Sequence, residues 1–321
     1  VSPLGLRVVG DPKPAGGTRI PPAITGPTRL GARARIIRGG TPYLYIAPFF
    51  AVFFVFFAYP VAYSFYVSLH SWTGQGPMKW VGWDNYNFSL TDNFFTQALQ
   101  TTGLIWVSVP ITLLLSLVIA VVWNQARFRG RSVLLVLYLL PTVISIVAVS
   151  LVFRILYDPS VGPVNVALGW FHIPAVNWLG DETSARYAIA IVRIWETIGL
   201  GVLFFAAALQ AISTDYYDAA SVDGSGPIRQ FWSITVPLLS RTLLFMMVWN
   251  TLNALSLFAE PQLIMSSGGP NNATTTVGLY LFQKVQNLDL GTASAVSFLM
   301  TAIMMVVSVL LFLGARRWTS D

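Results

Sequence analysis

Beyond residue 42 the chain is built from apolar runs long enough to cross ~30 Å of hydrocarbon, separated by shorter polar stretches. They predict membrane-spanning helices at about 43–70, 101–124, 133–156, 187–210, 241–265 and 292–315. Six spans return the C-terminus to the side on which the chain begins. Pro60, Pro110 and Pro141 fall within the first three and predict kinks there, because proline removes a backbone donor and crowds the preceding turn. Residues 1–42 have no repeating apolar face. Their prolines and glycines, with seven bases against the single acid Asp11, predict a disordered basic tail that stays in the cytoplasm and lies on anionic lipid. No apolar core of signal-peptide length follows the first charges, so the first span is expected to be retained.

The interval Tyr216–Arg241 carries two short amphipathic runs around a Gly-Ser-Gly-Pro corner. Asp215 is expected to cap a first helix by accepting a backbone N–H, with Asp218 in its first turn and Ala219 and Ala220 as good helix formers. Gly224 is expected to close that helix at positive φ. Gly226 and Pro227 suit the Ncap and N1 positions of a second helix, which should run through Phe231, Trp232 and Ile234 until Pro237 turns the chain.

Composition sets the class. A chain 55% hydrophobic and 10% charged, with a mean hydropathy of +0.65, lies outside the range of soluble domains. The absence of cysteine excludes a disulfide framework, thiolate metal sites and a cysteine nucleophile, and two histidines, His70 and His172, make no metal cluster. Charge gives the orientation. Fourteen of the nineteen Lys and Arg residues fall on one predicted side: the seven of the tail, then Arg127, Arg129, Arg131, Arg229, Arg241, Arg316 and Arg317. Lys79, Lys284 and the edge residues Arg154 and Arg186 fall on the other, and Arg193 lies within the fourth span. The positive-inside rule then places both termini, and the Tyr216 loop, in the cytoplasm.

Asp218-Ala219-Ala220, Asp223-Gly224, Phe231, Ile234 and Pro237 resemble the "EAA" loop of the permease subunits of binding-protein-dependent ABC importers. In place of the family's usual Glu stands Asp218, one methylene shorter. Collinear loops extend the resemblance over roughly residues 42–317: Val81 to Tyr86 is similar to a "VGxxNY" segment, Tyr157 to Gly162 with Asn165 to the next outer loop, and Ser267 to Pro270 to a "TGGP" turn. The resemblance implies an all-α, six-span type I importer permease domain over 43–321, with a coupling loop at 211–241. It also implies a bacterial cytoplasmic (inner) membrane location, a second permease subunit, two ATP-hydrolysing subunits docked at the eight residues just named, and an extracytoplasmic solute-binding protein contacting Gly268, Gly269 and Pro270. ATP and Mg would be bound by the partner ATPase, leaving this chain without a cofactor or a nucleic-acid partner.

No catalytic site can be assembled: G-x-x-x-x-G-K-[ST], H-E-x-x-H and G-x-S-x-G are all missing. An ion-coupled secondary transporter is the alternative, with Glu196 and Glu260 as candidate coupling acids, but no internal repeat accompanies them. Phe258-Ala259-Glu260-Pro261 leading into Gly268-Gly269-Pro270 resembles carbohydrate-uptake members of the importer family. By that resemblance the substrate path falls on Arg193, Glu196, Thr197 and Leu200 and on Ala254, Leu255 and Phe258. Phe258 would stack on an apolar sugar face and the polar trio would pair with hydroxyls, fitting a neutral or weakly anionic carbohydrate. Arg193 and Glu196, three apart on one helical face, are expected to neutralise each other. Glu260, near a predicted span end, is expected to cap or anchor its helix.

Overall fold

The computed structural model describes residues 43, 45–125 and 131–319. The predicted basic tail, and Arg127 and Arg129, lie outside the described residues. The chain divides into two compact units between Tyr59 and Pro60. In the first, residues 45–59 are helical with a π-helical turn at Phe54–Ala58, and the rings of Phe49, Phe53 and Phe57 stack along the helix at centroid spacings of 6.2 and 5.1 Å. By length and composition Tyr45–Ser68 (α1) is a candidate span.

The second unit holds four further candidate spans, Asn93–Asn124, Glu182–Gln210, Ser240–Ile264 and Leu290–Ala315, and one bent pair of helices. It opens with a two-stranded antiparallel ribbon, β1 (His70–Ser71) and β2 (Lys79–Trp80). Asn85, from the Val81–Tyr86 segment, fastens this ribbon by donating from Nδ2 to the carbonyls of Ser68 at 2.8 Å and His70 at 2.9 Å. It stands in α2 (Asp84–Thr91). Next come α3 (Asn93–Trp106) and α4 (Ser108–Gln125), which break apart at Val107. Pro110 explains the break: it has no N–H for the carbonyl of Trp106, so the turn there tightens and Val107 donates to Leu104 instead, at 3.2 Å.

The stretch 133–156, expected to be one span, is sharply bent. It forms α5 (Arg131–Val143) and α6 (Ile146–Leu156), whose paired segments are bent by 98°. Pro141 leaves the Leu137 carbonyl without its helical donor, and Ser145 adopts extended backbone at ψ 133°, so α6 starts in a new direction. The fifth predicted span is also interrupted. It consists of α11 (Ser240–Leu255) and α12 (Ala259–Ile264), with residues 256–258 non-helical between them. Leu257's carbonyl, freed by this break, accepts the hydroxyl of Thr276, which also caps α13 (Val277–Gln286) by accepting from Leu279 N at 3.2 Å. The last helix is α14 (Leu290–Thr319).

After the short α7 (Pro163–Trp170), the centre of the unit is α8 (Glu182–Gln210), capped by Asp181, which accepts from Ser184 N at 2.9 Å. This cap and the Asp158 turn lie at exposed loop ends. Backbone donors, from Ser184 and from Val161 and Ser160 respectively, hold both carboxyls below the ordinary aspartate range. The first half of α8 buries Ala185, Ala188, Ile189 and Val192 against Val149 and Phe153 of α6 and Ile264 of α12. Its second half buries Val202, Phe205, Ala206 and Leu209 against Val109, Leu113, Leu117 and Ala120 of α4 and Met246 and Ala254 of α11.

Between the halves, glycine lets neighbouring backbone come close. A Cβ on Gly199 would sit 1.7 Å from the Tyr138 carbonyl oxygen of α5, and one on Gly201 would sit 2.4 Å from Ser116 Oγ of α4. The Ser116 hydroxyl uses that proximity to donate to the Ile198 carbonyl at 3.0 Å. Small residues at such crossings are how helices associate in lipid, where no hydrophobic drive separates helix from solvent.

Gly199→Ala is therefore expected to lower the Tm of the detergent-purified chain, by an amount equivalent to ~1–3 kcal/mol of overpacking. Gly103→Ala, on α3 with nothing within 4 Å of the added carbon, should leave it unchanged or slightly raised. Equal effects of the two substitutions would show that the α5–α8 approach does not constrain the fold.

Candidate functional site

The polar interval folds as a compact hairpin. Its first arm is α9 (Asp215–Val222), with Asp215 and Asp218 both in the first turn, where carboxylates meet the positive end of the helix dipole. Asp215 does not cap this helix as expected. Thr214 occupies the Ncap without a side-chain bond, and the acceptor is Ser213 Oγ, which takes the Asp215 N–H at 3.2 Å. Gly224 has the expected positive φ, 75°. Ser225 N donates to Ala220 O at 2.8 Å and Gly224 N to Ser221 O at 3.1 Å, the paired bonds of a Schellman ending.

The second arm starts as expected, with Gly226 at the Ncap and Pro227 at N1 of α10 (Pro227–Gln230). Pro237 does not end it. The helix widens into a π-helical turn at Phe231–Thr235 and continues through Val236–Leu238, so the chain turns only at Leu239. A widened turn ahead of Pro237 removes the clash its ring would make in a regular α-helix.

Gln230 holds the two arms together and carries no sequence signal. Its Nε2 donates to Ser221 Oγ and to the Ser225 carbonyl, both at 2.9 Å, and lies 3.4 Å from the Tyr217 carbonyl. Tyr217 OH meets Thr235 Oγ1 at 3.0 Å and adds a second tie. Of the predicted docking residues, Asp218, Ala219, Asp223, Gly224 and Pro237 are exposed and Ala220 and Ile234 half-buried. Phe231 turns inward, packing with Val236 against the α4–α8 core. Sequence reasoning missed Tyr216, Val222 and Ile228 as a group: with Trp232 they leave large apolar surfaces in the open on an otherwise polar loop, Val222 at 89% exposure. Their signal is that the apolar side of each short run is not used up by the core.

A second cluster lies where α8 meets the break in the fifth span. Arg193 is 4% exposed, and its Nη2 donates to the Asn250 carbonyl of α11 at 3.0 Å. It makes no salt bridge with Glu196, contrary to expectation. The guanidinium lies in the field of Glu260 first and Glu196 second, and the two carboxyls are within hydrogen-bonding reach of each other. Glu260 is thus no outer anchor: at 7% exposure it turns inward from the first turn of α12, because the break at 256–258 re-aims that turn toward α8.

The other predicted path residues divide. Thr197 donates to its own helix at Arg193 O, 2.7 Å away. Ala254 is fully buried, Leu200 and Leu255 are half-buried, and Phe258 is 41% exposed with its ring 5.3 Å from that of Phe282. Aromatic side chains that the sequence reading did not select share the open faces of α8 and α11: Phe204, Phe245 and Trp249, linked ring to ring at 5.4 and 6.3 Å, whereas Trp195 packs edge-on against Phe153 of α6 at 5.2 Å. Spacing of i, i+4 between Phe245 and Trp249 is the signal that would have found them.

Gly268 and Gly269 adopt φ of 116° and 72°, and Gly268 is buried, with Thr275 Oγ1 2.3 Å from where its Cβ would stand. The turn is folded onto the Thr274–Thr276 strip, leaving Ser266, Ser267 and Asn271 as its exposed residues. Beside it, Tyr280 OH donates to Asp92 Oδ2 at 2.6 Å; burial first, then that carboxylate, push the phenol above its ordinary range. Among the described residues no group of three or more His, Asp or Glu side chains could hold a metal ion.

Bent apolar helices packed on one central helix, with an amphipathic hairpin carried between two of them, define a polytopic membrane transport subunit. A family model covering residues 29–319 makes the assignment specific. The chain belongs to the family described as binding-protein-dependent transport system inner membrane component, and so is a multi-pass inner-membrane permease subunit. It is 34% identical over 281 residues to the trehalose/maltose transport system permease protein MalF of Thermococcus litoralis, covering 87% of this chain and 94% of that one. It is 33% identical over 282 residues to the lactose transport system permease protein LacF of Rhizobium radiobacter, covering 86% and 94%. The crystal structure of a bacterial ABC transporter involved in the import of the acidic polysaccharide alginate contains a chain of the same fold, with a TM-score of 0.76 at 21% identity, covering 88% of this chain and 98% of that one.

Replacing Gln230 by Leu should loosen the hairpin by ~1–3 kcal/mol, through loss of the hydrogen bonds, each worth ~0.5–1.5 kcal/mol net, that tie its arms. Hydrogen exchange over residues 215–226 is expected to accelerate while α8 stays protected. Unchanged exchange in that stretch would show that the Gly224 ending alone sets the hairpin.

Proposed function

We propose that the chain is the permease subunit of an ATP-driven sugar importer and that its 211–241 hairpin is the lever by which a separate ATPase subunit drives it. The single observation that carries the coupling role is the hairpin's build: two arms locked by Gln230 and a Schellman ending, with Tyr216, Val222, Ile228 and Trp232 left open to solvent. Exposed apolar side chains grouped on a polar, rigid element mark a protein-docking surface.

In this reading the chain crosses the membrane six times with both termini in the cytoplasm, the bent α5–α6 pair counting as one crossing. It pairs with a second permease subunit and two ATP-hydrolysing subunits, and receives solute from an extracytoplasmic binding protein near Ser266 to Asn271. Two groups support a carbohydrate as cargo: the trehalose/maltose and lactose permeases among its relatives, and the linked rings of Phe204, Phe245 and Trp249 that α8 and α11 leave open. Aromatic faces with a few convergent polar groups are what sugar rings require. ATP closure of the nucleotide subunits draws the hairpins together. Through Phe231 and Val236 that motion reaches the α4–α8 core, and the path opens outward.

Asp218→Lys and Gly224→Pro test the lever. The first puts a cation at the wrong end of α9, and the second abolishes both the positive φ and the N–H that bonds Ser221. Membrane insertion is expected to remain normal while the reconstituted complex loses stimulation of its ATPase by loaded binding protein. Stimulation at the unmutated level in both would remove the coupling role from this hairpin.

Orientation is tested on the cysteine-free chain with Ser266→Cys and Thr214→Cys, both at exposed positions. An impermeant thiol reagent should label the first from outside and the second only after permeabilisation. The reverse pattern would place the hairpin out of reach of an ATPase.

A further inference from the structure

Beside the Ser267–Pro270 turn, between the start of α3 and α13, lies a polar cavity of about 200 Å³. Two glutamines on its wall hold the turn: Gln97 Nε2 donates to the Asn271 carbonyl at 3.0 Å, and Gln283 Nε2 to the Ser267 carbonyl at 3.2 Å. Each amide has turned its amino group to the turn, which leaves its carbonyl oxygen uncommitted. Thr275, also on the wall, is 4% exposed, and its Oγ1 is sealed from solvent with no bond among the described residues. A buried hydroxyl in that state calls for a partner from outside. Asp92 completes the set: its two oxygens accept from Phe94 N at 2.9 Å and from Tyr280 OH at 2.6 Å, and each keeps a lone pair.

Charge favours the same kind of visitor. The base on the wall, Lys284, lies 3.8 Å from Asp289 and over the rings of Phe88 and Tyr280 at 4.9 and 5.2 Å. On the other side of the turn, Glu182 accepts from Asn271 Nδ2 at 2.7 Å and Arg186 is bonded to the Ala273 carbonyl, so those two charges offset each other. Asp92 and Asp289 therefore outnumber Lys284. After burial, it is these two carboxylates that push the Tyr280 phenol up. Phe94 on the wall, and Val285 and Leu288 next in the chain to Lys284 and Asn287, leave apolar side chains in the open. Such a group marks a protein contact, and the cavity is smaller than the ~300 Å³ at which small-molecule sites begin.

We infer that this cavity receives one basic side chain, lysine or arginine, of the extracytoplasmic solute-binding protein; this rests on the importer reading proposed above. Free acceptors in a net negative field are what an ammonium or guanidinium requires, since both only donate. Gln97 and Gln283 tie the cavity to the backbone of the turn, so a side chain seated there orients the delivering protein over Ser267 and Asn271. A charge pair across a contact also steers approach, and therefore acts on how readily the binding protein engages.

The test is a charge series at Asn287, an exposed residue on the cavity wall. The complete importer is reconstituted in nanodiscs with its own loaded solute-binding protein, and the binding-protein concentration that half-saturates ATPase stimulation is measured. Asn287→Lys is expected to raise that concentration about tenfold and Asn287→Asp to lower it, with maximal stimulation unchanged and both differences shrinking at about 0.5 M salt. Ser160→Lys, exposed on an outer loop and outside the cavity, is expected to shift it by less than about twofold. In a separate footprint on the cysteine-free chain, loaded binding protein is expected to slow alkylation of Asn287→Cys, and maltotriose alone is not. No shift with Asn287→Lys, an equal shift with Ser160→Lys, shifts in one direction for Lys and Asp, or protection by maltotriose alone would each overturn the inference and leave the importer reading in place. Failure of binding protein to stimulate the unmutated complex would overturn the inference together with that reading.

Discussion

The approach of α8 to the Tyr138 carbonyl of α5 and to Ser116 of α4 is the contact on which the rest of the second unit depends. In water a bundle of this size would be held by burial of apolar surface, but inside a bilayer the lipid is as apolar as the side chains. Close packing and polar contacts between helices must then do the holding. Gly199 and Gly201 bring α8 near enough for the Ser116 hydroxyl to bond the Ile198 carbonyl, and Thr142 of α5 adds a longer bond to the Glu196 carbonyl at 3.3 Å. With α8 fixed between α4 and α5, its upper half has only the side facing α6 and α12 left to cover, and its lower half the side facing α11. The bend at Ser145 follows from the same constraint, since a straight continuation of α5 would carry α6 away from Ala188 and Val192.

That arrangement makes a continuous path for force. Phe231 and Val236 anchor the hairpin's second arm in the cluster that holds Leu209 and Phe205 of α8, and the same helix carries Arg193 and Glu196 several turns higher. The hairpin itself resists deformation, because its arms are tied at Gln230 and at the Tyr217–Thr235 bond. A pull on its open apolar side chains is therefore delivered to α8 as a displacement of a packed element, not absorbed as a local rearrangement. Packed cores shift between discrete arrangements rather than deforming continuously, which suits a transport cycle with two end states.

The span positions, the hairpin with its Gly224 and Gly226-Pro227 corners, and the family were legible in the residues, because each rests on a local rule: length of apolar run, positive φ, a missing N–H. What was not legible depends on partners distant in the chain. Pro141 announced a kink but not its 98° size, which needed the extended backbone of Ser145. Arg193 and Glu196 at i, i+3 looked self-sufficient, yet the guanidinium is held by a carbonyl 57 residues away. Glu260 was misplaced because an unbroken fifth span would have put it at the membrane surface. Asp215 lies one position inside the helix that Thr214 opens, and its N–H goes to Ser213 Oγ, a margin that local propensity does not resolve.

The break at 256–258 and the buried charges explain each other. Each ionised side chain placed near the middle of a bilayer costs ~2.5–3.5 kcal/mol on insertion scales, so Arg193 and Glu196 on one helix need compensation from elsewhere. A continuous fifth helix would direct position 260 along the membrane normal, away from α8. Ending α11 at Leu255 instead frees its last turn, turns Glu260 inward, and lets Thr276 take the Leu257 carbonyl that the break exposes. Irregular backbone at membrane depth is tolerated only where protein or a water-lined cavity satisfies it, and here protein does so through Thr276. It follows that α8 and the fifth span cannot separate without supplying new partners for a guanidinium and a carboxyl pair. Water or a hydroxyl-rich solute entering the gap are the partners available, so opening of the path and its filling are physically tied.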